Sequence, residues 1–154
     1  MTLALATIVA AAVPLARTVR DAASFRCAVS SPTQHPVRSR PSFNFGNSRI
    51  AVALPRRSTF VAVPEGQAGG AFIQDDGWIR TKVGWWRKRG ELRVTGRRLD
   101  APARRLRADV GPPSWTSSGE FIPSLLYFPS TGCWRLTATA GGARLDAVVR
   151  VVKR

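Results

Sequence analysis

Apolar and polar residues alternate with a period of two along most of the chain after about residue 49, in short runs separated by Gly, Pro, Asp and Ser. This pattern is typical of β-strands, in which successive side chains point to opposite faces of a sheet. No window of about eleven residues in this region has the apolar stripe of an amphipathic helix. The pattern therefore predicts a single β domain without helices over residues 44–154.

The clearest strand pair lies at the carboxy terminus. Every second residue from Trp134 to Ala140 is apolar, the pair Gly141-Gly142 follows, and residues 143–152 alternate again. Because glycine tolerates the positive φ angles of tight hairpin turns, these residues predict a terminal β-hairpin. The return strand is partly apolar on its second face as well, which predicts a strand that is covered on both sides or central in its sheet.

Shorter runs predict further strands at residues 49–54 and 59–63, paired as a hairpin, and at residues 71–73, 78–79, 83–87, 91–97 and 121–128. Pro123 predicts an edge or a bulge at the start of the last of these strands. Residues 102–113 are basic with little periodicity and are predicted to form a loop that crosses between sheets. About eight short strands without helices predict an all-β, two-sheet sandwich, with a small β-barrel as the alternative.

The first 43 residues differ from this domain. Residues 3–16 are almost entirely apolar, a length that suits a secretory signal better than a membrane span. We therefore expect residues 1–24 to be a signal peptide removed near Ser24, and the Pro- and Ser-rich residues 25–43 to be a flexible linker. The mature protein is expected to be secreted or to lie at the cell envelope, without a transmembrane span. A cytoplasmic location follows if the leader is not a signal.

The chain is strongly basic. It has 24 Lys and Arg residues against nine acidic ones, a formal net charge of +15. Such a charge favours contact with phosphate polymers, acidic glycans or anionic lipid headgroups. Most of the cations are arginines spread along the chain, which is also the composition expected of a GC-rich coding sequence. Charge alone leaves both interpretations open.

The two cysteines, Cys27 and Cys133, are far apart and form no pattern of metal ligands. In an exported protein they can form one disulfide, which would contribute up to about 4–5 kcal/mol by closing a loop of about 100 residues. In a reducing compartment both would remain thiols. The alternatives stay open at this point.

The residues that enzymes use for catalysis are not arranged for it. The only histidine, His35, lies in the predicted linker, Cys133 has no histidine partner in the domain, and the acidic residues are scattered. The glycine pairs are not followed by helices and do not resemble phosphate-binding loops. The sequence predicts no catalytic residue, no metal and no cofactor.

Two short segments are candidates for a ligand surface. Trp85 and Trp86 are neighbours in a predicted strand, so one is expected in the core and the other outside, where it can stack on a sugar or a base, or lie under a loop. Arg97 and Arg98 either clamp an anionic ligand or, through Arg98, pair with the acid two residues later and pin the loop. Together with Arg87, these residues are the predicted ligand surface.

Three segments resemble, in the same order, an uncharacterised family of bacterial exported proteins and predicted lipoproteins. They are Trp85-Trp86-Arg87, the Gly-Arg-Arg-Leu-Asp-Ala-Pro segment at residues 96–102, and the Phe-Pro-x-x-Gly-Cys-Trp segment at residues 128–134. The resemblance covers residues 44–154 and implies export, but it brings no activity with it. The last two strands also resemble those of bacterial immunoglobulin-like domains, which implies an immunoglobulin-like sandwich. Arg26 departs from the lipoprotein members, in which a small residue precedes the lipid-bearing cysteine.

The sequence thus predicts a non-catalytic, exported binding or structural module of the cell envelope. Its expected partner is an anionic polymer or another envelope component. The alternative is a cationic protein that stays in the cytoplasm and binds polyanions or nucleic acid.

Overall fold

The computed structural model describes residues 25–116 and 119–154, so the predicted signal peptide lies outside the described residues. These residues form eleven β-strands and a 3₁₀ turn at Arg56–Ser58, and they contain no α-helix. In chain order the strands are β1 Phe45–Gly46, β2 Ile50–Val52, β3 Thr59–Pro64, β4 Ala71–Ile73, β5 Ile79–Arg87, β6 Arg93–Arg98, β7 Arg107–Val110, β8 Ser114–Thr116, β9 Gly119–Phe128, β10 Gly132–Ala140 and β11 Ala143–Lys153. The predicted all-β class is confirmed. Nothing in this part of the chain forms a helix with the length and hydrophobicity that a bilayer span needs.

The predicted carboxy-terminal hairpin is confirmed. β10 and β11 pair antiparallel over the whole length of β10, and Gly141 and Gly142 form the turn with φ angles of 52° and 76°. Both angles are left-handed, which explains why two glycines occupy the turn. β11 pairs with β10 on one edge and with β3 on the other, so it is a central strand, as its partly apolar second face predicted.

The strands are hydrogen-bonded in the order β6-β10-β11-β3-β4-β5-β9, and β7 and β8 both pair with β9. β2 pairs with the end of β5 and with β1. β3 runs parallel to β11 and to β4, whereas the other pairs are antiparallel, so the sheet is mixed. One backbone hydrogen bond, from Leu106 N–H to the Gly96 carbonyl at 3.1 Å, joins the segment before β7 to β6. The choice between a two-sheet sandwich, immunoglobulin-like or otherwise, and a barrel stays a prediction.

The inward faces of the strands share one apolar core. Trp85, Trp134 and Phe128 are among its largest fully buried side chains, and Phe128 meets the Trp134 ring edge-on with 5.4 Å between centroids. The indole N–H of Trp85 donates to Ser124 Oγ at 2.8 Å. Burial of each large side chain contributes about 2–3 kcal/mol, and the hydrogen bond removes the cost of burying the polar edge of the ring.

The predicted hairpin of residues 49–54 with residues 59–63 is wrong. Both segments contain strands, but β2 pairs with β5 and β1, while β3 pairs with β11 and β4. Pro55 precedes the 3₁₀ turn, in which Arg57 and Ser58 have positive φ angles of 55° and 46°. This turn does not reverse the chain onto its own neighbour, and it directs β3 to the edge of β11.

The predicted loop at residues 102–113 contains a strand, β7. Leu106 is buried, and Ala108 and Val110 pack against the core, but the charged residues between them hide the alternation in the sequence. Pro123 lies between the parts of β9 that pair with β7 and with β8, and its Cα partner on the other edge belongs to β5. The irregularity expected at this proline is therefore a gap in the pairing along one edge of a central strand.

The predicted linker, residues 25–43, contains no strand, but its ends contact the domain. The Ser30 N–H donates to the Val148 carbonyl at 2.8 Å, and the Val148 N–H donates to Ser30 Oγ at 2.9 Å. Ser58 Oγ donates to the Ser30 carbonyl at 2.6 Å, and Phe43 is buried. These contacts hold Ser30 at the edge of β11, next to the start of β3. Flexibility of the residues between these contacts stays a prediction.

Candidate functional site

The five residues predicted as a ligand surface do not form one surface. Trp85 is 0% exposed, so it is a core residue and an indole without exposed surface takes no part in ligand contact. Trp86 and Arg87 are half-buried at the end of β5, where they pair with β2. Arg97 and Arg98 lie on β6, which pairs with β10. As expected for neighbours in a strand, the two indoles differ in burial.

Arg98 holds the loop that follows β6. Its Nε donates to Asp100 Oδ1 at 2.6 Å, and its Nη1 donates to Ser130 Oγ at 3.2 Å. Burial raises the pKa of Asp100, but hydrogen bonds from Arg98 and from the backbone N–H of Cys133 outweigh it and bring this pKa below the ordinary value of 3.8. Of the two interpretations of Arg98, these contacts support the one in which it pins the loop.

Cys27 and Cys133 are joined by a disulfide across a sequence separation of 106 residues. Cys133 is buried at the start of β10 and lies directly opposite Arg150 of β11. Arg150 Nη2 donates to the Cys27 carbonyl at 3.4 Å. The disulfide and this contact keep the segment around Cys27 on the outer face of β10 and β11, where it forms one wall of a groove.

The basic groove consists of two adjoining hollows of about 900 Å³ and 740 Å³ that share Arg150 and Val152. Asp100 is the one carboxylate side chain among its lining residues in the described part of the chain, and Arg98 already binds it. Six cationic side chains line the groove without an ion pair to any described residue: Arg26, Arg56, Arg57, Arg150, Lys153 and Arg154. The groove therefore carries a concentrated and unneutralised positive charge.

An apolar strip lies between these cations. Val61 of β3 is opposite Val152 of β11 in the parallel pair, and Val61 is 42% exposed. The arginines around this exposed aliphatic side chain can bind the charged groups of a ligand. The valine can then make van der Waals contact with the apolar part of the same ligand. The groove thus combines cationic N–H donors with an apolar floor.

The turn at the rim of the groove is strained. Arg57 and Ser58 are adjacent non-glycine residues with positive φ, a conformation that costs about 1–3 kcal/mol for each residue. Two hydrogen bonds hold it, from Ser58 N–H to the Pro55 carbonyl at 2.8 Å and from Ser58 Oγ to the Ser30 carbonyl. This turn places Arg56 and Arg57 beside the groove, and strain retained at one place is often associated with a functional site.

The groove is not visible in the amino-acid sequence because pairing between distant strands creates it. Thr59 of β3 is the parallel neighbour of Arg150 in β11, although the two are 91 positions apart (150 − 59). The only local signal was the basic pair Arg56-Arg57 next to a proline. No periodicity links that pair to the carboxy-terminal strand.

The side chains of the groove are of the types that bind anions in other proteins. Guanidinium and ammonium groups donate charged N–H hydrogen bonds, and the oxygens of carboxylates, sulfates and phosphates accept them. In the described part of the chain, no group of three or more His, Cys, Asp or Glu side chains is placed to hold a metal ion. His35 is exposed in the amino-terminal segment. That the protein is not an enzyme stays a prediction.

No protein-family model matches this chain, and no curated protein is similar to it. The resemblance to bacterial exported proteins, drawn from the three short segments, stays a prediction.

Proposed function

We propose that this chain is an exported, non-catalytic module that binds an anionic polymer along the basic groove. The observation that carries the proposal is a set of six cations in one groove that make no ion pair with any described residue, beside one described carboxylate that Arg98 already neutralises. Arginines that merely reflect codon composition would be mixed with acidic residues or spread over the surface. Like charges gathered in one groove repel each other, and a polyanion relieves that repulsion.

A polymer fits the groove better than a small ligand does. The cations lie along two hollows that share a strand, and the hollows are open, so a chain with repeated charges can contact several arginines at once. If all six cations contacted phosphates, the affinity would fall about 10³-fold between 50 mM and 200 mM salt, since each contact releases a counterion. A steep salt dependence is therefore part of the proposal.

The disulfide supports export. Disulfides form and persist in oxidising compartments and are rare in the cytosol, and the bond from Cys27 holds one wall of the groove. Sequencing the amino terminus of the mature protein tests this part. Cleavage near Ser24 is expected, whereas an intact leader in a cytoplasmic fraction would support the rival hypothesis of a cytoplasmic polyanion- or nucleic-acid-binding protein.

Binding to heparin, a sulfated model polymer, tests the groove itself. The groove variant Arg56→Gln/Lys153→Gln/Arg154→Gln removes three cations whose side chains make no hydrogen bond or ion pair with any described residue. We expect the wild type to bind heparin with a strong salt dependence. The groove variant should bind roughly 10–100-fold more weakly at 100 mM salt, with a shallower slope of log K against log salt.

A matched control separates the groove from general charge. The control variant Arg49→Gln/Lys82→Gln/Lys88→Gln removes the same charge from exposed residues that do not line the groove. We expect its affinity for heparin to fall less than about threefold. Equal losses in the two variants, or a wild type that does not bind heparin, would contradict the proposal.

A further inference from the structure

A second basic feature, the arginine pocket, lies on the outer face of β6 and β10. It is a hollow of about 200 Å³ lined by Arg97, Arg105 and Arg135, with Thr95 and Thr137 beside them. It is much smaller than either part of the basic groove and has no carboxylate among its lining residues. Its size suits one small charged group of a polymer.

The pairing of β6 with β10 places like charges side by side. Arg97 and Arg135 are direct partners across the antiparallel pair, and so are Thr95 and Thr137. Directly opposed like charges destabilise a sheet, and none of the three arginines has an ion-pair partner among the described residues. The arrangement costs stability in the free protein and becomes favourable when an anion lies between the guanidinium groups.

Asp146, the cross-strand partner of Thr137, is already engaged by another arginine. Arg144 donates to both carboxylate oxygens of Asp146, at 2.8 Å and 3.0 Å, and the hydroxyl of Thr137 donates to the same carboxylate. The hydrogen bonds from Arg144 and Thr137, together with the charge of Arg135, lower the pKa of Asp146. Asp146 makes its ion pair with Arg144 and attracts Arg135 only from a longer distance, so it makes no ion pair with the three arginines of the pocket.

The third arginine is brought to the pocket by a close backbone approach. Leu106 N–H donates to the Gly96 carbonyl at 3.1 Å, and a Cβ on Gly96 would lie 3.0 Å from Leu106 Cβ. A side chain at position 96 would therefore press on the segment that carries Arg105. The missing Cβ lets this segment lie on β6, so Arg105 approaches the other two arginines from a separate part of the chain.

We propose that the arginine pocket binds a sulfate or phosphate ester group and so makes the module selective for esterified polymers over purely carboxylated ones. A sulfate ester or phosphate monoester has three terminal oxygens, which can accept hydrogen bonds from three guanidinium groups, whereas a carboxylate has two. This inference rests on the proposed function, since the same polymer is expected to occupy the basic groove.

The test compares three polymers at equal ionic strength: heparin for sulfate esters, a phosphorylated dextran for phosphate monoesters and polygalacturonate for carboxylates. In the pocket variants, Arg105→Gln and Arg97→Gln/Arg135→Gln, we expect the preference for heparin or phosphorylated dextran over polygalacturonate to fall about tenfold. The ester whose affinity falls more identifies the natural group. The melting temperature of the double variant should not fall, because it removes a repulsive pair.

Arg93→Gln is the matched control, because this exposed arginine lies on the same face of β6 and outside the pocket. It is expected to leave the preference unchanged. If the wild type binds all three polymers but the pocket variants keep its preference, the inference is overturned and the proposed function stands. If the wild type binds none of them, both fail.

Discussion

Removing the disulfide is predicted to destabilise the domain strongly. The double variant Cys27→Ala/Cys133→Ala opens a loop of 106 residues, and the chain-entropy relation for a loop of this length gives about 4–5 kcal/mol. For a domain of this size, about 3–5 °C in melting temperature corresponds to 1 kcal/mol, so a fall of about 12–25 °C is expected. The variant uses alanine because Cys133 is buried and serine would bury a hydroxyl that needs a hydrogen-bond partner.

Urea unfolding followed by tryptophan fluorescence measures this loss, since Trp85 and Trp134 are fully buried in the folded state. The control is dithiothreitol, which should destabilise the wild type by a similar amount and leave the double variant unchanged. The double variant should also bind heparin more weakly, because Arg26 is then no longer held at the groove. Two results together would refute the disulfide and its role in holding the segment around Cys27. They are a free energy of unfolding of the double variant within about 1 kcal/mol of that of the oxidised wild type, and no effect of dithiothreitol on the wild type.

Three further perturbations test the packing around the site. Ser124→Ala leaves the buried indole N–H of Trp85 without its partner, so the free energy of unfolding in urea should fall by about 1–3 kcal/mol; no change would show that the hydrogen bond is absent. Asp100→Asn replaces the charged acceptor of Arg98 by a neutral amide oxygen. The folded pKa of the Asp100 carboxyl lies below 3.8, so the ionised carboxylate stabilises the fold fully above that value, and this stabilisation is lost as the pH falls through the folded pKa. The variant should therefore have a lower free energy of unfolding at pH 7. It should also lose less of that free energy between about pH 5 and pH 2 than the wild type does. Gly132→Ala places a Cβ 2.4 Å from Arg98 Nε, at a φ of +136°. It should lower the free energy of unfolding in urea by about 1–3 kcal/mol.

The sequence predicted the elements whose signal is local. The terminal hairpin depends on alternation within one segment and on a two-glycine turn, both of which are visible without any long-range contact. The opposite orientations of Trp85 and Trp86 follow from the geometry of a single strand. The pairing of Arg98 with Asp100 spans two residues and was one of the two interpretations of that arginine.

The elements that were missed depend on partners far away in the sequence. A hairpin between β2 and β3 was the natural expectation for neighbouring strands, but the strained turn at Arg57 and Ser58 gives β3 parallel neighbours instead. β7 was hidden because the residues that face the core alternate with charged ones in a basic stretch. The groove and the arginine pocket exist only through these pairings, so no run of arginines in the sequence marks them.

Amide chemical-shift mapping locates the bound polymer on the protein. A heparin tetrasaccharide is titrated into the ¹⁵N-labelled protein at low salt. We expect the largest shifts on Arg56, Arg57 and the end of β11 from Arg150 onward, with a second group at Arg97 and Arg135. Shifts concentrated around Trp78 and Tyr127, which line neither the groove nor the arginine pocket, or no shifts at all, would contradict this location.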